Sequence, residues 1–554
     1  MKSGGFSMKK GAFAFVLHSH IPFVRKSGVW PFGEEWFYEG LAETYIPLLD
    51  TLNKLKEEGC KVKLTVSLTP VLLEQMSDTY MLSQFSEYVR DKINRAESDI
   101  KRFASESAFL KVAQFYREYY SSIEDHFENR YKRDVAGAFR NLQDAGYLEI
   151  MTSAATHGYL PLLERDSSIY GQIEQGIRTY RRHLGRNPEG FWLPECAYRP
   201  GYEIYENGKV KKKKAIDQFL RDAGISFFIT DTHAVEGGET FQARRLGPYT
   251  VPNFVVDYTR PTYRTSFLPY LLSSGCTVFA RNRQTGLQVW SGRWGYPGDG
   301  NYREFHKKDG RSGFQYWRVT ATDLDLGKKE VYVRENIYPR IEENASHFVS
   351  MVEGMLADFN SKSQKFGIVM SPYDAELFGH WWFEGILFLE KVLRKMSSNS
   401  SVELTTLSDY LKNHPPQQAI VLPETSWGEG GYHYVWMNSS TEWMWPLIHE
   451  REVKMEKMVS GYQNVSGILR DVLNQMGREL LLLQSSDWPF LITTGQAKEY
   501  ATRRFLKHCE NFDRLCNLLE LNAGMGDIKN VLTSIKDTDN LFPDLDYHIF
   551  KAQE

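Results

Sequence analysis

Gly190-Phe191-Trp192-Leu193-Pro194-Glu195-Cys196-Ala197-Tyr198 and Ser371-Pro372-Tyr373-Asp374-Ala375-Glu376-Leu377-Phe378-Gly379-His380-Trp381-Trp382 decide how this chain folds. Each follows an apolar run of buried-strand character, and each then delivers carboxylates among aromatic rings. A carboxylate beside Trp and Tyr is costly to bury unless it is paired or used. Two such carboxylates, set among rings that match the faces of sugars, are the minimum equipment for glycosidic-bond chemistry.

Other segments repeat the pattern. Residues 11–17 read as a strand, residues 39–58 carry helical spacing (Leu41, Tyr45, Leu48, Leu49, Leu52, Leu55), and residues 62–68 read as a strand again. Strand, helix and strand in alternation predict a parallel sheet with crossovers. Residues 72–145 turn charged and helical, as a helical insertion would. The strand rhythm resumes at 148–152, 190–193, 227–230 and 365–370, and each strand ends in a polar or aromatic cluster. That arrangement predicts a barrel whose site lies at the C-terminal ends of its strands. Residues 232–330 are rich in Gly, Pro, Tyr and Trp and read as cleft walls and lids. After about 415 long helical periodicity takes over (Met455, Met458, Tyr462, Val465, Ile468, Leu469, Val472, Leu473). The expected organisation is therefore a catalytic barrel over 8–414 and a helical C-terminal domain over 415–554.

Composition narrows the function classes. The 554 residues hold 67 basic and 70 acidic side chains, a net charge of −3, which argues against a nucleic-acid binder. The run Lys211-Lys212-Lys213-Lys214 reads as a solvated segment. Five scattered cysteines with no Cys-x-x-Cys pair exclude a zinc ribbon or disulfide framework and fit a reducing cytoplasm. No apolar stretch approaches the ~20 residues of a membrane span. Aromatic content, 14% with 13 Trp and 31 Tyr, is the outlying feature. Trp290, Trp294, Trp427 and Trp436 stand in loop-like sequence, where a ring serves either as a sugar platform or as half-exposed packing.

With these motifs in view, the chain resembles glycoside hydrolase family 57, and within it the 1,4-α-glucan branching enzymes. The likeness rests on His18-Ser19-His20-Ile21-Pro22, Ala155-Thr156-His157-Gly158-Tyr159, the Glu195 and Asp374 segments, and Glu424-Thr425-Ser426-Trp427-Gly428. Val289-Trp290-Ser291, Gly295-Tyr296-Pro297-Gly298-Asp299 and Ser485-Ser486-Asp487-Trp488 add to it. The resemblance implies an incomplete (β/α)7 barrel with a helical insertion and an all-helical C-terminal domain. It implies a retaining mechanism with no metal or other cofactor, and an α-1,4-glucan as donor and acceptor. Glu195 would be the nucleophile and Asp374 the general acid/base, while Arg281, Gly298, Trp427 and Asp487 match glucan-contacting positions.

Each residue also has a plainer reading. Glu195 could be a structural carboxylate paired with Arg199. Glu376 rivals Asp374, since two residues apart on an extended segment both would face one side. His18 and His20 likewise share a strand face. With His157 they suit sugar hydroxyls, a metal, or a satisfied core. Trp427, Trp290 and Trp436 divide between sugar platform and loop anchor, and Arg281 between binding a hydroxyl and bracing a carboxylate. Function divides in the same way. A branching enzyme passes the cleaved chain from the Glu195 ester to a 6-hydroxyl. An α-amylase or 4-α-glucanotransferase of the same family passes it elsewhere, and water exclusion separates them. Tyr249 and Tyr258, in the loop after Asp231, are candidate lid residues. A metal-dependent deacetylase or mannosidase on a similar barrel, and an inactive glycan-binding protein, complete the alternatives.

Overall fold

The computed structural model describes residues 9–206, 209–237, 239–246, 249–255, 264–292 and 294–552. Seven parallel strands form its centre: β1 (Gly11–Ser19), β2 (Leu64–Leu68), β3 (Leu148–Ser153), β4 (Gly190–Trp192), β5 (Phe227–Thr230), β6 (Thr277–Ala280) and β7 (Gly367–Asp374). They run in the order β6-β5-β4-β3-β2-β1-β7, with the short strand Tyr270–Leu271 antiparallel outside β6 and Val402–Leu404 paired with β1. β6 and β7 do not pair as strands. The ends of the curl meet through one backbone bond just past β6, from the Asn282 N–H to the Met370 carbonyl at 3.0 Å. The result is the incomplete barrel that the family resemblance implies.

Period-two alternation explains why β1 is apolar throughout. Ala12, Ala14 and Val16 face the barrel interior, where Met151, Trp192, Phe227, Ile229, Phe279, Ile368 and Met370 fill the space. Phe13, Phe15 and Leu17 face outward into a second core with Phe348 and Phe378. A strand buried on both faces loses the polar alternation of a surface strand. Each of these phenylalanines contributes ~1.5–3 kcal/mol of burial. Continuing the inner series 12-14-16 carries His18 and His20 to the mouth of the barrel.

Helices Pro70–Gln75, Thr79–Arg102, Ser107–Asp125 and Val135–Asp144 make the insertion between β2 and β3. The helix after β1 begins earlier than its apolar spacing indicates, at Glu34, because the polar first turn Glu34-Glu35 carries no periodic signal. It passes through a π-helical turn at Leu41–Tyr45 and continues to Glu57. The thin helical pattern between 232 and 330 hid β6 and the helix Arg283–Trp290. An antiparallel hairpin pairs Glu239–Leu246 with Tyr249–Val255. The Tyr249 side chain and the whole of Tyr258 lie outside the described residues.

The C-terminal helices start at Met444 and run as Met444–Gly461, Ile468–Leu483, Asp487–Thr494, Lys498–Glu520 and Met525–Lys536. Residues 415–443 instead form a loop tied to the barrel through the Tyr198–Thr425 and Leu271–Ala419 bridges. Among the described residues no helix is long and apolar enough to cross a membrane.

Candidate active site

The C-terminal ends of the strands deliver His18 and His20 (β1), Ser67 and Thr69 (β2), His157 (β3), Glu195 (β4), Asp231 (β5), Arg281 (β6) and Asp374 with Glu376 (β7). The parallel register sets His18 directly opposite Asp374. Below them Trp192 closes the floor, fully buried and stacked on His18 at 4.3 Å.

Three residues around the mouth hold left-handed backbone without being glycine: His157 (φ 58°), Glu195 (φ 61°) and Cys196 (φ 49°). Such conformations cost about 1–3 kcal/mol each and gather where a side chain must be aimed. At Glu195 the turn is held by the Trp427 N–H, which donates to the Glu195 carbonyl at 3.0 Å. The Glu195 side chain accepts the Trp427 indole N–H on Oε2 (2.8 Å) and the Ser486 hydroxyl on Oε1 (3.2 Å). Burial nevertheless pushes its pKa up to about 7, against the opposing pull of Trp427, His20 and Ser486. Arg199 is not its partner: that guanidinium donates to the Pro200 and Lys214 carbonyls.

Asp374 contrasts with Glu195. No described residue donates a hydrogen bond to its carboxyl group. Burial first, then the charges of Glu376 and Glu195, hold its pKa well above the carboxylate range, with Arg281 opposing. Glu376 is instead claimed by donors. Its Oε1 accepts the Tyr45 hydroxyl and the His20 backbone N–H (3.1 Å). The two carboxyl groups that the sequence could not separate therefore have different surroundings.

The three histidines form one stack, with His20–His157 rings 4.1 Å apart and His18–His157 5.1 Å apart. Burial holds His18 and His157 well below the normal imidazole pKa, so both are neutral. His157 Nδ1 meets the Ser486 hydroxyl (2.8 Å) and His18 Nδ1 the Ser67 hydroxyl (3.2 Å), while each Nε2 is buried without a partner. Two buried ring nitrogens without a partner are places for hydroxyl groups. His20 differs. Burial pulls its pKa down, but Asp487, with Glu195 and Glu376, raises it overall; Asp487 meets Nε2 at 3.0 Å. Asp487 opens its helix and also accepts the Ser485 hydroxyl. The C-terminal helices thus reach into the cleft through Ser485, Ser486 and Asp487. Among the described residues the convergent metal-donor group is Glu479, His508 and Asp539, buried in the C-terminal part of the chain, rather than the histidine stack.

The remaining expected residues are placed differently. Arg281 braces a carboxylate, donating from Nε and Nη2 to Asp231 at 3.0 and 2.8 Å. Its guanidinium also lies 5.9 Å from the Trp427 ring centre. Trp427 is no free-standing platform: it holds Glu195 and meets Trp192 edge-on at 5.1 Å. Trp436 corrects the sugar-platform expectation, because it is 1% exposed and stacked on Tyr159 at 4.5 Å. Its loop-like sequence concealed a core ring. Trp290 is half-buried against the outer core, and Gly298 packs where an added Cβ would collide with the Gly292 carbonyl. Neither shares a hydrogen bond with the carboxylate pair. Sequence reading missed Ser67, Thr69, Ser486 and Tyr45. The first two carried a signal: Thr65, Ser67 and Thr69 are polar at period two in an otherwise apolar strand.

A half-buried carboxylate with two donors, a second carboxyl group whose pKa is held well above its ordinary range and a wall of polar nitrogens fit a glycoside-processing barrel. Comparison with known proteins agrees. Residues 14–423 match the family model of glycosyl hydrolase family 57, and residues 447–550 match the C-terminal model of 1,4-alpha-glucan branching enzymes. The chain belongs to glycoside hydrolase family 57. It is 44% identical to the 1,4-alpha-glucan branching enzyme TK1436 of Thermococcus kodakarensis, over 96% of this chain and 77% of that one. The TK1436 crystal structure superposes with a TM-score of 0.90, covering 98% and 97% of the two chains at 43% identity. The α-amylase AmyC of Thermotoga maritima follows with a TM-score of 0.82 at 29% identity, covering 99% and 100%.

Proposed function

We propose that this chain is a 1,4-α-glucan branching enzyme that works with retention through an ester on Glu195. The observation that carries the mechanism is the unequal treatment of two half-buried carboxyl groups. Glu195 receives two donors, which favour the ionised form a nucleophile needs. Asp374 receives none, and its pKa is held well above the carboxylate range, which favours the protonated form a general acid needs.

In the first step Glu195 attacks the anomeric carbon of a bound α-1,4-glucan, and Asp374 passes its proton to the departing O4. In the second, Asp374 takes the proton of an acceptor 6-hydroxyl, whose oxygen displaces Glu195 and makes the α-1,6 branch. His18 and His157 offer Nε2 to sugar hydroxyls, and the His20–Asp487 pair offers polar contacts from the C-terminal side. We read 8–414 as the catalytic barrel and 415–554 as the part that completes the cleft. Donor and acceptor are both α-glucan chains, and five free cysteines fit work in a reducing cytoplasm.

Branching is favoured over hydrolysis by the match of residues 447–550 to the branching-enzyme C-terminal model and by the 44% identity to TK1436. The amylase reading draws on the AmyC likeness, since both reactions share the ester and differ only in what reaches it. Incubation with amylose followed by proton NMR decides the matter. New α-1,6 linkages with few new reducing ends are expected. Mostly reducing ends would hand the assignment to the amylase.

A further inference from the structure

Glu376 has no part in the two steps above, yet the fold goes to some length to hold it. It sits on the single turn Ala375–Leu377 directly after Asp374 and is 8% exposed. Its two donors come from different elements: the His20 backbone N–H after β1, and the hydroxyl of the fully buried Tyr45. Tyr45 closes the π-helical turn Leu41–Tyr45, and such turns commonly mark functional positions. The same turn is pressed against the Asp374 segment at Gly379, which has φ 104° and where an added Cβ would collide with the Glu43 carbonyl oxygen. Only glycine permits that approach, so the helix backbone and the loop are fixed relative to each other.

Two carboxyl groups buried side by side cannot both ionise freely, and hydrogen-bond donors choose which one does. We propose that Glu376, held as the carboxylate by the Tyr45 hydroxyl and the His20 amide, is the fixed negative charge that keeps the proton on Asp374 until a donor glucan is cleaved. It is a positioning residue, acting through Asp374. Of the groups facing Asp374, only Arg281 favours its ionisation. Glu376 and Glu195 oppose its ionisation, its cross-strand neighbour His18 is neutral, and Arg281 spends its charge on a two-point contact with Asp231. Burial raises the pKa of Glu376, but the Tyr45 hydroxyl, the His20 amide and the His20 ring, which Asp487 keeps inclined to protonation, all pull it back, whereas Asp374 has only Arg281 to oppose its rise. During cleavage the Asp374 proton moves to O4 and Asp374 becomes the carboxylate. The adjacent Glu376 charge then favours recovery of a proton from the acceptor hydroxyl, and Glu376 itself ends unchanged.

This inference rests on the acid/base reading of Asp374, and the experiment separates the two. The full chain and the variants Glu376→Gln, Tyr45→Phe and Asp374→Asn are compared, each checked for native melting. The basic limb of kcat/KM against pH on amylose is expected to move down by about one unit in Glu376→Gln, a tenfold change in the protonated fraction. Tyr45→Phe should move it the same way by less. Asp374→Asn should lose amylose cleavage yet still form the ester from α-glucosyl fluoride, whose leaving group needs no proton. If Asp374→Asn behaves so and the basic limb stays fixed in both other variants, the inference fails and the Asp374 reading stands. If Glu376→Gln shows the leaving-group pattern and Asp374→Asn does not, the acid is Glu376 and both fail.

Discussion

Trp427→Phe tests how the nucleophile is kept ionised. The substitution keeps an aromatic ring between Trp192 and Arg281 but removes the indole N–H that lies 2.8 Å from Glu195 Oε2. A hydrogen bond to a charged group contributes about 1.5–3 kcal/mol. One pKa unit corresponds to ~1.36 kcal/mol, so losing the bond should raise the Glu195 pKa by about 1–2 units. The starting point is already high, about 7, because burial outweighs the donors. The nucleophile works only when deprotonated, so the rate falls as pH drops through this value. The acidic limb of kcat/KM, measured on amylose across the acidic and basic ranges, should therefore begin near 7 and move up by about 1–2 units in Trp427→Phe. Ser486→Ala should move it the same way by less, because its contact is longer at 3.2 Å. An acidic limb that stays put while the rate falls equally at every pH would refute the reasoning and leave Trp427 with a packing role only.

Glu195→Gln should abolish branching and hydrolysis together, since both pass through one ester; survival of either, measured by linkage NMR and reducing-end assay, would break the shared-intermediate scheme. Treatment with EDTA should leave the branching rate unchanged, and a loss restored by zinc would revive the deacetylase-like use of His18 and His20. Glu452 is fully buried and its pKa is pushed up to about 8, chiefly by burial, although the Glu164 and Arg165 N–H groups donate to it. The folded state then holds a proton that the unfolded chain releases near its ordinary value. Stability from this group is thus complete at low pH, lost as pH rises from about 4.5 to about 8, and constant above. Glu452→Gln should accordingly raise the Tm at about pH 8 and leave it unchanged at about pH 4. A gain equal at both pH values would exclude the titration as its cause.

The parallel strands were legible because burial on both faces leaves a continuous apolar run. Phe227–Thr230 falls at its predicted bounds. Strand β6 was not assigned, although its apolar run Val278-Phe279-Ala280 is plain, because it is set in a long stretch of Gly, Pro and aromatic residues. Glu195 and Asp374 stood out as carboxylates after apolar strands, but the choice between Asp374 and Glu376 depends on donors from residues 20 and 45. Those contacts span more than 300 residues of chain and leave no local mark. Trp436 shows the opposite failure. It follows the glycine-rich stretch Gly428–Gly431 and precedes Asn438-Ser439-Ser440, yet Tyr159, from the loop after β3, covers its face. Loop composition reports backbone freedom, not where a ring is buried.

The most direct measurement is capture of the ester itself. The variant Asp374→Asn lacks the base that releases the intermediate, so exposure to α-glucosyl fluoride should let it accumulate. After denaturation and proteolysis, mass spectrometry should find one added glucosyl group on the peptide carrying Glu195 and none on the peptide carrying the substituted position and Glu376. A label on Glu376, or complete turnover with no labelled peptide at any time, would contradict a retaining mechanism centred on Glu195.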